Sequence, residues 1–379
     1  MISSALESKL VNNTRPEGQL LLCCLRPQID KAVTEHIHKL IQQELDWNYF
    51  SKLAEKHRVL PLLYYNLNLI CPEAIPQEIL SNLRDHFLAN SQRNLIFTNE
   101  LLRLLERFQK LDIRIIPYKG TVLAGLVYGN ISLKQIHDLD IIIDRQDLPK
   151  IRELLISEGY WLKREHDQEQ TFFNDSNQVK IDVHWGLTPV YFPLEVDFNR
   201  LWEQTKIVKF CQKNIVNLSS EDLLLILCLQ IAKDCWERRQ KLEHLAKVCD
   251  IAQLIYTCPN LNWSEVIAQA KSHNLTRIFH FGVFLAQELF AVNLPDSVRL
   301  DVEKDLVAVS LASQVCAELF GEKDTQKSPK TNSIWDFSLR MRQLIFYFQI
   351  REGLLYKIKY VLGIFDFLVI SIIARRGKT

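Results

Sequence analysis

Apolar residues recur at three- and four-residue intervals from Gln28 to Lys110, in TEHIHKLIQQEL, FSKLAEKHRVLPLLYYNL and NELLRLLERFQKL, with Pro72 and Pro76 between the last two. That period puts one apolar stripe along each of a series of helices. The texture then changes. IRIIP (113–117) is short, apolar and rich in isoleucine, and it stops at Tyr118-Lys119-Gly120 before TVLAGLVYGN, where the helical period returns. LDIIID (139–144) predicts a second buried strand. In DLPKIRELLISEGY, Asp147 is expected to cap a helix, Pro149 to sit in its first turn and Gly159 to end it. YWLKRE and TFFN predict hairpin strands, and VKIDVHW (179–185) a third strong strand entered through the turn residues Asn174 to Asn177. Ser219 followed by Asp222 resembles a capping box opening a long helical stretch, SSEDLLLILCLQIAKDCWERRQKLEHLAKVCDIAQLI, and helices are expected on to Phe320.

These elements predict an α+β fold in which a small mixed sheet is flanked by N- and C-terminal helical regions. The expected divisions are residues 1–95 (helical), 96–218 (the sheet-bearing module), 219–320 (helical) and 321–379 (loop and terminal apolar helix). In the last, GEKDTQKSPKTNS (321–333) reads as an exposed linker. Tyr360 to Ala374 is apolar but interrupted by Asp366, and falls short of the ~20 residues of a spanning helix. A buried terminal helix is the main expectation, and a weak peripheral membrane contact aided by Arg375, Arg376 and Lys378 the second.

Charge narrows the classes of function. Lys and Arg total 46 against 45 Asp and Glu, so no global basic field draws the chain onto nucleic acid. The run Arg238-Arg239-Gln240-Lys241 reads as a solvated helix face. Nine cysteines with no CxxC spacing, mostly within apolar helical patterns, read as reduced core residues of a cytoplasmic protein. The first residues have no basic segment leading into an apolar stretch, so no secretory signal is expected. Neither a P-loop nor a G-x-S-x-G motif occurs.

Candidate chemistry concentrates on three aspartates. Residues two apart on a strand share a face, so Asp138 and Asp140 in HDLDIII project together, while Leu139 and Ile141 pack on the other side. Such a pair suits Mg²⁺, a hard ion that takes oxygen ligands and keeps positions for substrate phosphates. Asp182, between Ile181 and Val183, is placed to leave its strand on the polar face and to complete a two-metal site. Lys119-Gly120 sits where a strand turns into a helix, a position at which glycine permits close backbone approach and lysine adds a charge for a triphosphate.

With PYKG, HDLDIII, a downstream EGY and IDVHW, the chain resembles the uncharacterised nucleotidyltransferases of the DNA polymerase β superfamily. More narrowly, it resembles a bacterial family with the pattern Lys-Gly, Asp-x-Asp, Asp-x-His-Trp. The resemblance extends over most of the chain, from HRVLPLLYYNL to the segment Cys249-Asp250-Ile251-Ala252. It implies a polymerase β-like module, two Mg²⁺ ions (or Mn²⁺), and transfer of a nucleoside monophosphate from a nucleotide triphosphate, such as ATP, to an acceptor, a small molecule or a protein. It places Asp138, Asp140 and Asp182 as metal and catalytic residues, Lys119 and Gly120 at the phosphate-side turn, and His184 and Trp185 at the strand end. Lys134 and Gln135 stand where the family usually has an arginine; Lys134 keeps the charge without a bidentate phosphate grip. Gln230 and Asp234 replace histidines frequent in the family's later helix. These departures motivate an alternative, a non-catalytic binding or regulatory module that keeps the fold and acts through protein partners.

Overall fold

The structure is a computed structural model that describes residues 14–188, 192, 198–237, 242–319 and 337–362. The first thirteen residues, the basic run 238–241, the expected linker 321–333 and most of the terminal apolar stretch lie outside the described residues.

The N-terminal helices are α1 (Pro16–Cys24), α2 (Lys31–Ile41), α3 (Trp47–Lys56), α4 (Leu60–Ile70) and α5 (Gln77–Lys110). Asp30 and Asp46 start α2 and α3 by accepting from the backbone N–H groups of Val33 and Tyr49. At 34 residues α5 is the longest of the described helices, and the division expected at 95/96 falls inside it, so one rigid rod serves both the helical region and the sheet. Then come β1 (Ile115–Pro117), α6 (Gly120–Val127), β2 (Leu139–Ile143), α7 (Leu148–Ser157), β3 (Trp161–His166), β4 (Glu169–Asn174) and β5 (Val179–His184). After α8 (Phe198–Glu203) a hairpin forms from β6 (Lys206–Phe210) and β7 (Lys213–Asn217). The remaining helices are α9 (Ser220–Glu237), α10 (Leu245–Thr257), α11 (Trp263–Ser272), α12 (Thr276–Phe290), α13 (Asp296–Lys304), α14 (Leu306–Leu319) and α15 (Phe337–Ile350). Among the described residues no helix is long and apolar enough to cross a membrane.

Strands β1 to β5 form one mixed sheet in the order β1-β2-β5-β4-β3. Only the β2–β5 pair is parallel; the others are antiparallel. Alternation divides its two faces between two apolar clusters. Ile115, Leu139, Ile141, Ile143, Ile181 and Val183 pack with Phe97, Leu101, Leu104 and Phe108 of α5 and with Ile151 and Leu155 of α7. Ile116 and Ile142 belong instead to the large cluster of the helical regions, together with Tyr118, Leu123 and Val127. The polar residues of β2 and β5 therefore open on the face of Ile116 and Ile142, toward the large cluster.

One local expectation is corrected, and one element is new. Asp147 makes no capping bond to α7; Asp144 caps instead, accepting from Gln146 N–H in the short 3-10 turn that precedes the helix. The stretch after Ser219 forms the helices α9 and α10, and the capping box forms as expected, with Ser219 Oγ bonded both to Asp222 N–H and to its carboxylate. The β6–β7 hairpin was not expected, because its turn residues, Cys211 and Gln212, both adopt φ near +60° without glycine or asparagine to announce it. Its Phe210 lies against Gly125 of α6, where an added Cβ would come within 2.5 Å of the ring.

Candidate functional site

The parallel pairing of β2 and β5 sets Asp140 directly opposite Asp182. Registered neighbours in a sheet share a face, so both carboxylates project toward the helical regions, and period two adds Lys180 and His184 to the same side of β5. The intervening Val179, Ile181 and Val183 are buried on the opposite face. One short strand thus presents a lysine, an aspartate and a histidine in line, beside Asp140 and the Asp138 that precedes β2.

Lys180 Nζ lies 2.8 Å from Asp138 Oδ2 and 2.9 Å from Asp182 Oδ2, bridging the two carboxylates. Asp140 is served by other partners: Lys119 Nζ at 3.4 Å and His184 Nε2 at 3.0 Å, both on Oδ1. His184 is steadied by Glu169, whose Oε2 is 3.5 Å from Nδ1, and by the edge-on ring of Tyr118 at 6.1 Å. Burial works against a charge on Asp140, but the Lys119 ammonium and His184 outweigh it and hold the carboxyl well below the usual range. Burial likewise opposes the charge of Lys119, yet Asp140 and Tyr118 keep its proton bound more tightly than in an ordinary lysine. Asp182 behaves in the opposite way. Burial and the charge of Asp140 raise its proton affinity against the pull of Lys180, and its Oδ1 is buried without a hydrogen-bond partner.

The Lys119-Gly120 turn has a steric reason. Gly120 has φ +56°, and a Cβ there would stand 3.1 Å from the backbone oxygen of Asp138. Glycine lets the start of α6 close onto the strand that carries the aspartates. In the next position Thr121 is fully buried, and its Oγ1 has no partner.

Of the residues singled out in the sequence, Asp138, Asp140, Asp182, Lys119 and Gly120 come together. Lys134 joins a different group: its Nζ lies 2.7 and 2.6 Å from the two carboxylate oxygens of Asp250 in α10, and Tyr128 donates to Asp250 Oδ1 at 2.8 Å. The loop before Asp138 is also clamped by α5, where the Asn90 and Asn94 amides both donate to the Lys134 carbonyl, at 3.0 and 2.8 Å. Sequence reading passed over Lys180 and Glu169, and gave Asp250 no role beyond its place in the family-like segment. Lys180 carried a usable signal, since it stands two residues before Asp182 and so shares its face; the other two enter from separate elements.

Among the described residues no group of three or more histidine, cysteine, aspartate or glutamate side chains is arranged to hold a metal ion. The donor set nevertheless fits a hard cation. It consists of carboxylate oxygens, Asp182 Oδ1 is unpaired, and the Lys180 ammonium already stands as a cation between Asp138 and Asp182.

The family described as "uncharacterised nucleotidyltransferase" matches residues 43–291, more than half of the chain and all of the residues above. No curated protein matches. Two solved structures are similar in part. One is the lincosamide antibiotic adenylyltransferase LnuA with lincomycin bound, at 16% identity and a TM-score of 0.27, over 34% of this chain and 83% of that one. The other is an antigenic nucleotidyltransferase-like protein from Paracoccidioides brasiliensis, at 14% identity and a TM-score of 0.30, over 51% of this chain and 91% of that one.

Proposed function

The chain belongs to the family of uncharacterised nucleotidyltransferases, and from that membership we propose that it transfers a nucleoside monophosphate from a nucleotide triphosphate to an acceptor hydroxyl with the help of divalent metal. The observation that supports this most directly is the registered Asp140–Asp182 pair beside Asp138, with one buried carboxylate oxygen left unpaired. An unmatched buried acceptor is costly, and it is explained if the site is built for a cation that arrives with substrate.

Asp138, Asp140 and Asp182 are the residues that would hold Mg²⁺ or Mn²⁺, and Lys180 would leave the gap between Asp138 and Asp182 as they do. When bound, the metal supplies charge neutralisation for the triphosphate and a more acidic acceptor hydroxyl. Lys119, held in place by Asp140, offers its ammonium to the phosphates, and the first N–H groups of α6 face the same turn. In this reading Asp182, registered beside Asp140, also receives the acceptor proton. His184, bonded to Asp140 and braced by Glu169, fixes the orientation of that carboxylate. A small molecule or a protein is the acceptor this reading favours over nucleic acid, since the near-neutral charge gives no global basic field.

A second reading is favoured by one observation: Lys119 and Lys180 neutralise the aspartates without any ion. On that reading the protein is a non-catalytic module working through a protein partner. Incubation of the full chain with Mg²⁺ or Mn²⁺ and labelled nucleotide triphosphates, beside the Asp138→Asn/Asp140→Asn variant, separates the two. Transfer is expected from the wild type alone. Equal labelling by both proteins, or no nucleotide binding by either in calorimetry, overturns the enzyme reading.

A further inference from the structure

Away from the aspartates, a cleft of about 850 Å³ opens between the end of α1, the start of α2, the end of α10 and the end of α12. Its volume is within the ~300–1,000 Å³ usual for small-molecule sites. No residue of the acidic cluster lines it. Two of its lining groups are incomplete. Arg26 is only 6% exposed, and its Nε has no hydrogen-bond partner. Gln287 Oε1 is buried in the same state. One lacks an acceptor and the other a donor, and each unmade bond costs the desolvation of its group.

Two other charges on the wall, Asp30 and Arg299, are engaged elsewhere. Asp30 is engaged in capping α2 at 2.9 Å, and Arg299 is bonded to Asp296 at 2.9 Å and to Glu303 at 3.2 Å. Burial draws the Arg26 pKa down, against the attraction of Cys23 and Asp30, so the guanidinium stands in an environment that rewards an added anion. Tyr256 and Trp263 contribute two flat rings to the lining, and Tyr256 is 49% exposed.

We propose that this cleft binds a small organic anion built on a planar ring, with its carboxylate or phosphate oxygen taken by Arg26 and a ring N–H or amine donated to Gln287 Oε1. Tyr256 and Trp263 supply the surfaces for the ring. The site is separate from the proposed reaction and stands without it.

Two probes share that chemistry, are not nucleotides and differ in the anion: anthranilate, a carboxylate, and 2-aminophenyl phosphate, a phosphate. Titration calorimetry on the full chain is expected to show saturable binding of at least one, and the one preferred identifies the source of the anion. Arg26→Met is expected to weaken binding about 10- to 100-fold, the usual loss of a charge-assisted bond, whereas Asp138→Asn/Asp140→Asn leaves it unchanged. Should Arg26→Met fail to fold, Gln287→Leu is the second variant, with a several-fold loss expected. Binding of neither probe, wild-type affinity in the folded variants, or loss of binding in the aspartate variant would each overturn the proposal.

Discussion

Two buried aspartate–lysine groups lie on the helix-facing side of the sheet module, and they are finished differently. Around Asp250 every bond closes: Lys134 contacts both carboxylate oxygens, Tyr128 supplements one of them, and the side chains are 14% and 6% exposed for Lys134 and Asp250. Around Asp138, Asp140 and Asp182, two lysines and a histidine serve three carboxylates, and one buried oxygen of Asp182 is left over. The residue types are the same, so composition does not distinguish structure from chemistry here. Satisfaction does: the closed group ties α10 to the loop before β2, whereas the open one keeps a carboxylate available.

The largest effect that would test this contrast is on turnover. Asp140→Asn removes the charge shared by Lys119 and His184, and nucleotidyl transfer is expected to fall on the order of 10³-fold or more while the circular dichroism spectrum is retained. A variant that transfers at the wild-type rate would erase the distinction. The closed group should respond in the other currency. Asp250→Asn leaves Lys134 buried without its counter-charge and is expected to cost about 3–5 kcal/mol in denaturant unfolding. Lys134→Met/Asp250→Leu should recover much of that loss. If the double variant regains stability yet its KM for the triphosphate rises, Lys134 reaches the nucleotide as well as Asp250.

Half of this contrast was legible in the sequence. Period-two alternation places Asp138 with Asp140 and turns Asp182 away from Ile181 and Val183, because a strand carrying such residues must bury one face. The register that sets Asp140 opposite Asp182 was not legible, since it follows from β5 inserting between β2 and β4. Nor was the Lys134–Asp250 pair, whose members lie 116 residues apart and meet only when α10 packs beside α6. Lys119-Gly120 became more informative than the motif alone: the positive φ and the 3.1 Å approach to Asp138 explain the glycine by packing. The β6–β7 hairpin was missed for a local reason, a positive-φ turn built from Cys211 and Gln212.

Acid titration sharpens the comparison in metal-free protein. The Asp140 pKa is lowered on folding, so the folded state binds the proton less readily than the unfolded chain, whose aspartates titrate near ~3.9. The stability it contributes is therefore fully present above that value and is lost as pH falls through the folded pKa. Unfolding free energy measured in chelator between about pH 5 and pH 2 is expected to decline more steeply in wild type than in Asp140→Asn. Parallel curves would mean that Lys119 and His184 do not favour the ionised form.

The smallest expected effect concerns Lys180, the residue that makes the open group tolerable without metal. Its ammonium stands between Asp138 and Asp182, and that contact, opposed by burial, keeps the lysine more basic than usual. Lys180→Met removes the internal cation and retains the aliphatic stem, so the two carboxylates repel each other unless another cation intervenes. In chelator the variant should melt below wild type, by roughly 1–2 °C for each 1 kcal/mol lost in a chain of this size. Added Mg²⁺ or Mn²⁺ should raise its melting temperature by more than it raises that of wild type, because the ion no longer displaces a lysine. A variant that loses stability and gains nothing from divalent ions would show that the lysine is a structural partner, and would move the open group toward the closed one. The same variant carrying Asp182→Asn should lose the extra response, which ties the ion to the oxygen that has no partner.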